Sequence, residues 1–159
     1  MNSKLLRITS GLFITGALVV ASVAQAADGG GTATYVTTWS EMIKLPGGRA
    51  LQRAHLKTVI IVDKGDALFH LQPQDCSGSV ALGADGKVED SAGACSAVDK
   101  DGDTWWISYH NGPQGNVWTI LGGTGKFKGL KGGGTSTELA MTGDGRQHIT
   151  WKGSWTMMK

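Results

Sequence analysis

The chain predicts an all-β fold behind an N-terminal signal peptide. Three observations carry that expectation. Glycine is abundant, with 25 residues, and all six tryptophans lie from Trp39 onward. Apolar residues alternate with polar ones or come in short runs, and turn signals recur about every ten residues. No segment sustains an apolar period of 3.6 over a helical length.

Residues 1–26 form the expected leader. Lys4 and Arg7 make a basic start, Gly11 to Val20 is apolar, and Ala24-Gln25-Ala26 is a small-x-small cleavage site. The alternative is a membrane anchor, for which the apolar core is short. Removing the leader changes the charge: 15 basic and 13 acidic residues become 13 and 13, because Lys4 and Arg7 leave and no acid does. A neutral mature chain without a basic stripe argues against nucleic acid, and the lack of a polybasic segment argues against a lipid surface. Residues 27–159 suffice for one domain with one core.

Thr32 to Ile43 reads as the first strand, with Tyr35, Thr37, Trp39, Glu41 and Ile43 on one face. Leu45-Pro46-Gly47-Gly48 is a turn. In Arg49–Val62, Ala54, Leu56, Ile60 and Val62 face one way, and Arg53, His55 and Lys57 the other. Asp63–Asp66 turns into a strand at Ala67–Gln72, which Pro73 ends. If Asp85-Gly86 is a two-residue hairpin turn, paired residue numbers sum to 171 and Cys76 faces Cys95. They would form a hydrogen-bonded pair with Cα atoms about 5.5 Å apart, compatible with a disulfide. A bulge near Gly93 would shift that register. An exported chain with two cysteines makes the disulfide the default.

Asp99–Asp103 invites a calcium reading. Counted from Asp99, however, glycine falls at the fourth place, where the calcium loop wants it at the sixth, and His110 stands where the glutamate should be. A hairpin turn into Thr104–His110 fits better. Trp105 and Trp106 must point to opposite faces. Gly115–Leu121 carries Trp118 and Ile120 on one face. In the last hairpin a three-residue Gly143–Gly145 loop pairs Leu139 with Ile149. The strand count is eight or nine.

Between these strands lies Ile120–Thr135, with seven glycines in sixteen residues. Gly122, Gly123, Gly125 and Gly129 surround one aromatic residue, Phe127, which is expected to plug something apolar. Gly125-Lys126 is followed by Phe127 and by no helical pattern, so a phosphate-binding loop does not fit. The segment resembles the Gly-Gly-Thr-Gly-Lys-Phe stretch of dirigent proteins and the glycine-rich turn of the allene oxide cyclase barrels. That resemblance implies a small antiparallel eight-stranded, allene-oxide-cyclase-like barrel, assembly into trimers, and a pocket that works without a dissociable cofactor.

Little marks a catalytic site. His55, His70, His110 and His148 show no metal-ligand spacing, and no serine sits in a nucleophile elbow. The candidate site is Tyr35, Trp39 and Glu41. If their shared face lines the barrel, two rings supply contact area and Glu41 supplies orientation or acid–base chemistry. If it is the outer face, Glu41 is a solvated carboxylate beside Arg49 or Arg53. The leading expectation is a secreted or periplasmic barrel that binds a small apolar or aromatic ligand. The alternatives are a cofactor-independent cyclase, isomerase or dirigent-type coupling protein, and an interaction protein with a filled barrel. The leader yields the first test: intact mass of the exported protein should correspond to a chain starting at Ala27, and a mass retaining residues 1–26 contradicts it.

Overall fold

The computed structural model describes residues 26–63, 67–142 and 144–158. The expected leader and its cleavage motif lie outside the described residues except for Ala26, which opens the first strand. Eight strands follow: β1 (Ala26–Lys44), β2 (Ala50–Val62), β3 (Pro73–Leu82), β4 (Val88–Val98), β5 (Thr104–Gly112), β6 (Gly115–Gly123), β7 (Leu130–Met141) and β8 (Arg146–Met157). Each pairs antiparallel with its sequence neighbour, and β1 pairs with β8, so the sheet closes into a barrel. This is the expected fold class, with eight strands rather than nine.

Three hairpins share one turn design. In Gly83–Lys87, Asp99–Asp103 and Thr142–Arg146 the first residue's N–H donates to the last residue's carbonyl, and the fourth residue's N–H donates to the first residue's carbonyl. That fourth residue is Gly86, Gly102 or Gly145, with φ of 78°, 84° and 81°. Glycine alone adopts that left-handed conformation without strain. Asp99–Asp103 is thus a hairpin turn, as expected.

The 171 register also holds, but not through the expected turn. The Gly83–Lys87 turn sets a sum of 170, which Leu82 and Val88 still obey. A bulge between Ala81 and Leu82 adds one, so Cys76 faces Cys95. The two are joined as a disulfide with Cα atoms 4.0 Å apart. That spacing belongs to a non-hydrogen-bonded pair, not to the wider pair expected.

Three other expectations are corrected. Ala67–Gln72 is no strand: Ala67–Phe69 is one tight helical turn, and Pro73 opens β3 instead of ending a strand. A proline tolerates the first position of a strand because its missing N–H is not needed there. β7 begins at Leu130, five residues before the expected Thr135. The Thr142–Arg146 turn has the expected three-residue loop, but a bulge between Glu138 and Ala140 pairs Glu138, not Leu139, with Ile149. Leu139 is left 60% exposed.

One end of the barrel, called the floor here, is closed by aromatic rings. Phe69 drops in from the β2–β3 connection, with ring centroids 4.5 Å from Trp105 and 4.8 Å from Trp155. Phe127 completes the plug, 6.3 Å from Trp105, and has no exposed surface. Gln72, itself buried, accepts the Trp105 indole N–H and donates to the Leu68 carbonyl, so the polar atoms inside the plug are satisfied.

The glycine segment fastens this plug. Gly125–Phe127 forms a helical turn between β6 and β7. Lys126 reaches back to Asp99 and, at 3.2 Å, to Asp101, while its backbone N–H donates to Asp103 at 3.1 Å. Gly125 has φ +48°, and a Cβ there would strike the Asp103 carboxylate. Truncating Phe127 to alanine should therefore cost about 3–5 kcal/mol in denaturant unfolding, and Gly125→Val should cost more through combined strain and collision. Unfolding of both variants at the wild-type midpoint would show that the segment bears no structural load.

Candidate functional site

Above the plug the barrel is open. A cavity of about 810 Å³ runs up to the hairpins at the opposite end. Its lower wall is apolar and aromatic, with Ile60, Phe69, Trp105, Ile107, Trp118 and Trp151. The Cys76–Cys95 disulfide lies in the same wall. Toward the mouth the lining becomes polar, with Gln52, Ser91, Asn111, Asn116, Glu138 and Gln147. The gradient follows from side-chain size and chemistry along strands whose inward positions alternate with outward ones.

The rings fit inside because neighbouring strands supply glycine. Tyr109 on β5 lies over Gly78 and Gly93, where any Cβ would collide with its phenol. Trp118 lies in the same way over Gly153, and Trp155 over Gly29. Trp118 and Trp151 then meet edge to face at 6.1 Å, a favourable arrangement of their quadrupoles.

The structure splits the expected trio. Tyr35 and Thr37 face the lumen. The register of β1 against β2 then shifts between Thr37 and Trp39. The extra residue reverses the alternation, so Trp39 and Glu41 leave the shared face. Trp39 is 45% exposed and packs its ring 5.1 Å from His55. It lines a shallow outer groove of about 300 Å³ with Arg53, Ser77 and Ala92. Glu41 is exposed opposite Arg53. The strand is continuous, but its face is not.

Two carboxylates reach the mouth that the alternation did not indicate. Glu89 pairs with Arg49. Glu138 accepts a hydrogen bond from Gln147 and has no ion-pair partner among the described residues. Glu138 keeps the inward period of Leu130 and Ser136, and the bulge after it puts Leu139 outside, where counting back from the last hairpin places Leu139 within. Tyr109 was more legible, since it shares the period of Trp105 and Ile107. No lysine, arginine or histidine among the described residues lines the cavity. Among the described residues no cluster of three or more histidine, cysteine, aspartate or glutamate side chains is arranged for a metal ion. In the Asp99–Asp103 turn the ammonium of Lys126 is the counter-ion, and it holds the Asp99 carboxyl below its usual range.

Burial pushes the Tyr35 hydroxyl up to about 12, with a smaller contribution from Tyr109. Tyr109 is raised as well, again by burial. Both phenols are therefore neutral, proton-bearing groups across the physiological range.

No protein-family model matches the chain, and no curated protein does. Solved structures do. One, of the pterocarpan synthase dirigent protein GePTS1, aligns with a TM-score of 0.54 at 12% identity, covering 94% of this chain and 100% of that one. Another, of the pterocarpan synthase dirigent protein PsPTS1, gives 0.54 at 13% identity over 85% and 97%. At this identity the likeness establishes a dirigent-like barrel fold.

The raised tyrosines have a measurable consequence. An acid whose folded value exceeds its unfolded value near 10 keeps its proton longer when folded. Its stability contribution is intact below pH 10 and is lost as pH rises from there through about 12. Absorbance titration of the folded protein should find neither tyrosine ionising at the ordinary value, and Tyr35→Phe should flatten the alkaline stability loss. Two tyrosines titrating normally in the folded state would contradict the buried placement.

Proposed function

We propose that the protein is an exported barrel that binds a neutral aromatic or apolar small molecule in its lumen. The observation that carries this reading is the open cavity of about 810 Å³, closed below by rings and lined by no cation among the described residues. Its size is that of small-molecule sites, and apolar walls with a few polar groups are their usual lining. Secretion or periplasmic residence rests on the leader. Trimeric assembly rests on the resemblance, and Val98, Trp106 and Leu121 leave apolar area on the outer face that an interface could use.

A second reading is dirigent-type coupling or a cofactor-independent cyclisation. The fold shared with pterocarpan synthase dirigent proteins favours it, as does Glu138, a mouth carboxylate available for proton transfer. The allene oxide cyclase chemistry implied by the glycine segment belongs to this reading. The interaction-protein reading needed a lumen filled by side chains, and it loses that support.

Titration of tryptophan fluorescence with naphthol tests the leading reading. Saturable one-to-one binding is expected, weakened by about tenfold or more in Val80→Trp, which fills the lumen. No saturable binding, or binding untouched by Val80→Trp in a folded variant, would contradict it.

A further inference from the structure

We propose that Tyr35 and Tyr109 form a two-donor subsite inside the lumen that takes the carbonyl oxygen of a neutral aromatic ligand. The inference rests on the reading of the lumen as a ligand site and adds a ligand class to it. β1 and β5 are four strands apart in a ring of eight, so these phenols project from opposite walls. Both line the cavity. The Tyr109 phenol leans back over Gly93 on β4 and Gly78 on β3, which carries its hydroxyl round the wall toward the β1 side of the lumen.

Neither hydroxyl has a hydrogen-bond partner among the described residues. The Trp151 indole N–H, on the same lining, is fully buried and also has none. A buried donor without an acceptor is uncommon in native interiors and costly to keep. The two phenol hydroxyls open onto the lumen, where an acceptor from outside the chain can reach them. A carbonyl oxygen has two lone-pair directions and can accept from both phenols at once.

The rest of the lining narrows the choice. Among the described residues no cation lines the lumen to balance a ligand carboxylate or phosphate, so an anionic group there would be desolvated without compensation. The two carboxylates, Glu89 and Glu138, stand at the mouth, where they suit ligand hydroxyls or solvent. The charged groups of the described lining thus stand at the entrance, and the two phenols offer neutral donors. Tyr109 is fixed in place, because Gly78 and Gly93 together make the slot its phenol occupies.

The test compares phenyl naphthyl ketone with the hydrocarbon in which a methylidene group replaces the carbonyl oxygen. The two are nearly identical in shape and differ in the acceptor. Tryptophan fluorescence should show the ketone binding about tenfold tighter to the wild-type protein, the scale of one or two net hydrogen bonds. In Tyr35→Phe/Tyr109→Phe the ketone should fall to the level of the hydrocarbon, whose own affinity stays unchanged and reports an intact barrel. Equal affinities in the wild type would overturn the subsite while leaving the lumen reading standing, and no variant is needed to see it. A preference that survives in the double variant would overturn it as well. Failure of both probes to bind would overturn the subsite together with the reading beneath it.

Discussion

An eight-stranded barrel has an interior just wide enough for side chains to fill it. A large ring can lie flat against the inner wall where a nearby strand gives up its own Cβ. That constraint governs this chain. Tyr109 occupies the room left by Gly78 and Gly93, Trp118 that left by Gly153, and Trp155 that left by Gly29. At the floor, Phe69, Trp105, Phe127 and Trp155 close on one another and nothing more fits. Toward the mouth, inward positions fall to Thr37, Ser91, Asn111 and Ser136, which are too small to meet across the barrel. The lumen is empty where the sequence places short side chains opposite one another.

The floor depends on a second arrangement. Phe127 is inserted by a turn whose backbone requires glycine at position 125, and Lys126 ties that turn to Asp99 and Asp101 in the next connection. These ion pairs are partly exposed and of modest strength individually. Their role is registration: they hold the turn where the ring must enter. The aromatic burial behind them supplies the larger free energy.

Much of this was legible in the sequence. Period-two alternation placed Ala54, Leu56 and Ile60 inside and Trp105 and Trp106 on opposite faces. The cysteine pairing followed from counting across Asp85-Gly86. Yet that count succeeded because a three-residue loop and a later bulge offset each other. Bulges were what the sequence concealed. One between Thr37 and Trp39 sends Trp39 and Glu41 outward, and one after Glu138 sends Leu139 outward. A bulge moves one residue by a small backbone rotation and leaves hydrophobicity unchanged, so pattern reading has nothing to detect. Pro73 misled for a related reason. Proline bars a strand's interior but permits its first position, and the sequence does not say which side of it the strand lies on. The candidate site thus kept Tyr35, lost Trp39 and Glu41, and gained Tyr109, Glu138 and Gln147.

The bulge in β1 gives the molecule two separate aromatic surfaces, an outer one at Trp39 and His55 and an inner one around Tyr35, Tyr109, Trp118 and Trp151. The central claim is that ligand chemistry belongs to the inner one. A crystal structure of the protein soaked with phenyl naphthyl ketone tests this most directly. The account predicts density for the ketone above the Phe69–Phe127 plug, its oxygen between the Tyr35 and Tyr109 hydroxyls, and Glu41 in solvent. Ketone bound only against Trp39 on the outer groove, or a lumen collapsed onto its own side chains, would contradict it.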